Sequence, residues 1–171
     1  MKLSIVILML FLTGCAGFTV NGIAYSDFQK MDKLHLAAGM ASSMIIHELG
    51  HYAIAKHYGA HPQHRVVQVD YYADHLSRSK QAWIARGGFV SQSIIGVFLT
   101  VIPQTRGSDF VLGFTGYSLV EHGTYTILHE TGGRMDTANL DAVGRNGRME
   151  ALGFATLSGG LFYLNLSGAG Q

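Results

Sequence analysis

Apolar positions along the chain fall into long runs that are separated by short polar stretches. Four segments have the length and pattern of a helix, at about 34–57, 87–104, 110–128 and 150–168. Gly59 follows the first of them, as expected where a helix ends. Arg65–Tyr72 is rich in β-branched and aromatic residues, which predicts a short β-strand or hairpin. The pattern therefore predicts a mainly α fold, a compact bundle of about four helices.

Several of these helices have the apolar character of membrane spans. Gly87–Thr105 contains 19 residues without a charge, close to the ~20 needed to cross a bilayer. The sequence is 48% hydrophobic but only 13% charged, whereas soluble domains average about 25%. With the N-terminus outside the cytoplasm, most Lys and Arg residues fall on the cytoplasmic side, as the positive-inside rule expects. We therefore predict that the bundle is membrane-embedded, with the lipid bilayer as a partner.

The first residues have the plan of a secretory signal, a basic Lys2 followed by an apolar run. Leu12–Cys15 is similar to the lipobox of bacterial lipoproteins, in which cleavage before the Cys leaves it lipid-modified. The predicted organisation is a signal peptide over 1–14, a polar linker over 15–33 and one helical domain over 34–171, anchored through lipidation of Cys15. This predicts the bacterial inner membrane as the location, with the N-terminus on the periplasmic or outer face.

Charge and cysteine content exclude two classes of protein. The net charge is +1, from 12 basic and 11 acidic residues, so a nucleic acid is not an expected partner. The single Cys excludes a disulfide framework within the chain.

The candidate chemistry lies in the first predicted helix, in the sequence His47-Glu48-Leu49-Gly50-His51. Residues four apart lie on one face of a helix, so both imidazoles can reach one Zn²⁺ ion. Glu48 lies next to that face, where a carboxylate can act as the catalytic general base. This His-Glu-x-x-His pattern predicts a zinc metalloendopeptidase.

A catalytic zinc site needs a third protein ligand. Asp136, which follows a pair of glycines and precedes the last helix, is the preferred candidate, and Asp141 in the same segment is its nearest rival. His129 and Arg134 lie in the same segment and are candidates for stabilising an oxyanion.

Other acidic residues remain open as the third ligand. Asp70, which is four residues before Asp74, lies on the strand side of the motif helix. Glu121, with its neighbour His122, lies near the middle of the third helix. Both Glu121 and His122 are better suited to hydrogen bonding with the ligands than to binding the metal.

Together these features resemble the site-2 protease family of intramembrane zinc metalloproteases, in particular its small bacterial members. The matching features are the His47–Lys56 motif with Gly59 after it, the strand-like segment, Gln81–Gly88 before an apolar helix, and an Asp at the start of a later helix. The family's Asp-Gly third-ligand motif is not intact here, because Ala142 follows Asp141 and Thr137 follows Asp136.

The resemblance implies zinc bound by His47 and His51, Glu48 as catalytic base, and a membrane-embedded or membrane-proximal polypeptide as substrate. Two rival interpretations stay open. One is a peripheral lipoprotein peptidase with a soluble zinc domain that uses Asp70. The other is a non-catalytic membrane protein whose metal site is structural or vestigial.

Overall fold

The computed structural model describes residues 30–65, 68–70, 72–129 and 136–168. Its helices are α1 (Lys33–His57), α2 (Arg78–Val101), α3 (Asp109–Ile127), α4 (Asp136–Ala142) and α5 (Gly147–Gly168), and its strands are β1 (Gln63–Arg65) and β2 (Gln68–Asp70). The predicted signal peptide, Cys15 and most of the predicted linker lie outside the described residues. The prediction of a mainly α fold is confirmed.

Local sequence sets both ends of α1. The Asp32 carboxylate accepts hydrogen bonds from the backbone N–H groups of Leu34 and His35, at 2.9 and 3.2 Å, and so caps the first turn. At the other end, Gly59 has a φ of +76°, a conformation that glycine adopts without strain. The chain then turns into an antiparallel hairpin in which Gln63 pairs with Asp70 and His64 with Val69.

Helix α2 begins at Arg78, nine residues before the predicted start at 87. The polar residues of this first part lie on the exposed side of the helix, whereas Ala82 and Ala85 are fully buried. They pack with Phe89 against Leu140 and Val143. The polar residues of this segment therefore form the exposed face of the first part of α2. The apolar run alone underestimates the length of the helix.

The segment between α3 and α5 contains one helix that the sequence pattern did not predict. Helix α4 has seven residues and packs between α2 and α5. It ends near Gly144, whose φ is +81°. The Asp141 carboxylate accepts a 2.9 Å hydrogen bond from the Gly147 N–H and thereby joins α4 to α5.

Helix α1 is the centre of the bundle because it packs against both α2 and α3, while α3 packs on α5. Glycines make these contacts close. A Cβ atom at Gly50 would collide with the backbone of Gly87 on α2, and one at Gly113 on α3 would collide with the Leu36 carbonyl on α1. Such close backbone approach is typical of helix pairs that rely on small residues for packing.

Helix α2 is, within the described part of the chain, the one helix long and apolar enough to cross a membrane by length and composition. Half of its most apolar stretch is buried inside the bundle. The core helix of a soluble protein passes the same test.

We expect Gly113→Ala to destabilise the fold, because the new methyl group would meet a backbone carbonyl that cannot rotate away. Overpacking of this kind costs about 1–3 kcal/mol. Gly160→Ala on α5 is the matched control, since nothing lies within 4 Å of a Cβ at that position; it should be neutral or stabilise by up to ~1 kcal/mol. Thermal unfolding of both variants tests this, and equal midpoints would contradict the close α1–α3 contact.

Candidate metal centre

Helix α1 places His47 and His51 four residues apart on its buried face, with side chains 1% and 3% exposed. The Nδ1 atom of His51 lies 2.7 Å from the carbonyl oxygen of Ile84, and the Nδ1 atom of His47 lies 2.9 Å from Oε1 of Gln92. Both partners are oxygens that only accept hydrogen bonds. Each Nδ1 therefore carries a proton, which leaves Nε2 as the nitrogen through which each imidazole can bind a metal.

The third member of the site is Asp136, the first residue of α4. Its Oδ2 lies 3.0 Å from Nε2 of His47 and 3.1 Å from Nε2 of His51, and the two Nε2 atoms are 3.0 Å apart. Burial of the Asp136 carboxyl favours its neutral form, but the two adjacent histidines outweigh this effect and hold its pKa well below the usual range. The carboxylate is therefore ionised beside the two imidazoles.

These three atoms form a group that fits a metal ion. Two imidazole nitrogens and one anionic oxygen face one another in a buried site, an arrangement that needs a cation, a metal ion or a proton, between them. Ligands about 2.0–2.1 Å from one tetrahedral ion lie about 3.3 Å apart, close to the 3.0–3.1 Å separations observed. Imidazole nitrogens with one carboxylate oxygen are ligands that Zn²⁺ accepts.

Glu48 lies at the edge of this group, in the residue after His47. Its Oε2 accepts a 2.8 Å hydrogen bond from the backbone N–H of Val69 on β2. Its charge also acts on Tyr117 and Glu121 of α3. The carboxylate is thus tied to the hairpin and acts electrostatically on α3.

Helix α2 closes the site with a glycine and an aromatic ring. A Cβ atom at Gly88 would overlap the imidazole of His47, so only glycine lets that ring lie against the backbone of α2. Phe89 meets the same imidazole edge to face at 5.6 Å, and the Tyr125 ring is parallel to it at 6.2 Å. These contacts fix the plane of the His47 ring.

Behind His47 lies a buried polar network that sequence reasoning missed in part. Gln92, 1% exposed, contacts His47 and also His122, whose Nε2 lies 2.8 Å from Oε1 of Gln92. The side-chain amide of Gln92 donates to Oε2 of Glu121 at 2.7 Å. Sequence analysis assigned hydrogen-bonding roles to Glu121 and His122, but it passed over Gln92. The available signal in the sequence was an amide side chain within the uncharged run of α2. A polar group in such a run is expected to be buried, and a buried amide needs hydrogen-bond partners.

Among the described residues, Asp136 is the acidic residue that forms one metal-binding group with both histidines. Asp141 Oδ2 is 2.8 Å from Nε2 of His129, so these two residues pair with each other. Asp70 is the last residue of β2, and Asp74 follows the hairpin and is exposed. Glu121 Oε2 lies 3.4 Å from Nδ1 of His47, the nitrogen that faces Gln92.

Two predicted functional residues are not placed by the structure. Cys15, the predicted lipidation site, and Arg134, a candidate oxyanion group, lie outside the described residues. Comparison with protein-family models, with curated proteins and with solved structures finds no match to this chain.

The geometry predicts that Asp136, and not Asp141, is needed for metal binding. We expect Asp136→Asn to weaken the binding of Zn²⁺ by at least about 100-fold, more than the usual effect of losing a group that only orients a ligand. Asp141→Asn, which removes the partner of His129, should leave the affinity within a fewfold of wild type. Competition with a chromophoric chelator measures both constants, and the reverse order would exclude the observed group as the binding site.

Proposed function

We propose that this protein is a zinc-dependent metalloprotease that cleaves membrane-embedded or membrane-proximal polypeptides. The observation that carries the proposal is the convergence of Nε2 of His47, Nε2 of His51 and Oδ2 of Asp136 within 3.0–3.1 Å of one another, with Glu48 next in the chain. Structural zinc sites take four protein ligands, whereas catalytic sites take three and leave one position open. Three ligands among the described residues therefore favour catalysis over a structural role.

His47, His51 and Asp136 would hold the ion. Bound Zn²⁺ supplies Lewis acidity and lowers the pKa of water toward neutrality, which makes a nucleophile available for attack on a peptide carbonyl. The burial of all three residues, none more than 8% exposed, strengthens electrostatic interactions with a developing charge.

We assign the general base to Glu48. One of its oxygens accepts the N–H of Val69, which orients the carboxylate and leaves its other oxygen for proton transfer. In this role Glu48 takes a proton from the attacking water and passes it to the leaving amine. The likeness of the His47–Lys56 motif to the first motif of site-2 proteases supports the same assignment.

A membrane location is supported by apolar side chains on the outside of the bundle. On α2, Ile94, Val97, Phe98 and Val101 are 37–64% exposed, at the spacing of one helix face. Leu152, Leu157, Tyr163 and Leu164 of α5 are 42–52% exposed. Apolar surface of this extent marks contact with lipid or with another protein. We therefore propose a bundle embedded in the bacterial inner membrane, with a lipid anchor at Cys15.

We expect Glu48→Gln to lower peptide cleavage by about 10²–10⁴-fold, because the variant loses the group that transfers the proton. Zinc binding should be retained, since the ligands are unchanged. The measurement is cleavage of casein and of a transmembrane peptide by the purified chain in detergent, with Asp141→Asn as a variant that keeps activity. Equal cleavage by wild type and Glu48→Gln would count against the proposed function and favour a structural metal site.

Cys15→Ala tests how the chain is held in the membrane. If helices of the bundle are embedded, the variant should stay in the membrane pellet after alkaline carbonate extraction, whereas a protein held only by lipid would be released. Mass spectrometry of the wild-type N-terminus should show a lipid on Cys15. Release of the variant into the supernatant would support the rival interpretation, a peripheral lipoprotein peptidase.

A further inference from the structure

A chain of buried polar side chains connects the candidate metal centre to α5. From His47 it runs to Gln92 at 2.9 Å, from Gln92 to His122 at 2.8 Å, and from Nδ1 of His122 to Oγ of Ser158 at 2.9 Å. All four side chains are at most 1% exposed. Groups buried to this degree need hydrogen-bond partners, so the protein atoms around them indicate where their hydrogens lie.

The orientation of the Gln92 amide is fixed from the side away from the histidines. Its Nε2 lies 3.2 Å from the backbone carbonyl oxygen of Ser43 and 2.7 Å from Oε2 of Glu121. A backbone carbonyl only accepts hydrogen bonds, so the NH₂ group must face Ser43. The carbonyl oxygen of the amide, Oε1, therefore faces both His47 and His122.

This orientation determines where both imidazoles carry their protons. Oε1 accepts from Nδ1 of His47, which leaves the lone pair of that ring on Nε2, toward Asp136. The same oxygen accepts from Nε2 of His122, whose Nδ1 lies 2.9 Å from Oγ of Ser158. With the amide reversed, His47 would accept at Nδ1 and carry its proton on Nε2, where a metal ligand needs a lone pair.

We propose that Gln92 is a positioning residue that sets the tautomer of His47 for metal binding, and that His122 holds Gln92 in the required orientation. His47, Glu121 and His122 could also form a metal-binding group by proximity. However, Nδ1 of His47 and Nε2 of His122 both donate to Gln92 in this arrangement, so neither atom offers a lone pair there. The proposal rests on the metal-binding part of the proposed function and not on proteolysis.

Gln92→Leu removes the amide at nearly constant volume, and Asn165→Leu is its matched control. Asn165 is also a fully buried amide, but it donates to Thr100 and accepts from Gly107. Both variants lose buried hydrogen bonds and should lose stability. Only Gln92→Leu should weaken Zn²⁺ binding, by about 10–100-fold, as expected when a group that orients a ligand is removed.

Two substitutions of His122 distinguish the effect of its N–H donor on Zn²⁺ binding from the effect of its size. His122→Phe keeps a ring but has no donor, so we expect Zn²⁺ affinity to fall by about tenfold or more. His122→Gln places an amide N–H where Nε2 lies and should restore affinity to within about threefold of wild type. The proposal is overturned if His122→Phe and His122→Gln bind Zn²⁺ equally, or if Gln92→Leu binds as tightly as Asn165→Leu.

Nitrogen-15 chemical shifts of the His47 ring in the metal-free chain, at a pH high enough to leave that ring neutral, provide a readout independent of cleavage. Wild type and His122→Gln should show the proton on Nδ1, whereas Gln92→Leu should show a mixture of tautomers or the Nε2-protonated form. An unchanged tautomer in Gln92→Leu would refute the proposal. A chain that shows these changes and binds Zn²⁺, yet cleaves nothing, would refute the protease function and leave the role of Gln92 intact.

Discussion

The convergence of three candidate metal ligands in a buried site is the constraint on which this structure depends. Two imidazole nitrogens and the Asp136 carboxylate oxygen meet at 3.0–3.1 Å in a buried site. Three helices must hold these atoms in place, because polar and charged groups are unfavourable in a buried site unless their partners are fixed. Helix α1 supplies both histidines, α2 supplies the oxygens that hold their other nitrogens, and α4 supplies the carboxylate. Binding of an ion would therefore stabilise the packing of all three helices.

Glycines contribute to this site because they have no side chain and so leave room for close packing. Gly50 and Gly87 allow α1 and α2 to approach closely, and Gly88 leaves room for the His47 ring against α2. A larger residue at any of these positions would separate the helices or displace the ring. The high glycine content, 22 residues, thus has a specific structural use where α1 and α2 meet.

Much of the fold was accessible from sequence because hydrophobic periodicity reports which helix faces are buried. It located α1 and α3 to within one residue and predicted the hairpin. It missed the first turns of α2, where exposed polar residues alternate with buried alanines, and it missed α4, which is too short to show a period. The pairing of His47 and His51 follows from helix geometry alone. The position of Asp136 relative to Asp141, and the contacts of Gln92, depend on tertiary packing that no local pattern encodes.

The hydrogen bond from Val69 to Glu48 has a consequence for how sequence variation can affect this site. Its donor is a main-chain amide, and every residue except proline provides that group. Side-chain replacements at position 69 therefore preserve the bond as long as the hairpin keeps its place, whereas a shift of the strand backbone breaks it whatever the residue. The orientation of the Glu48 carboxylate therefore depends on the backbone of the hairpin and not on its side chains. It can persist through extensive divergence of the hairpin sequence.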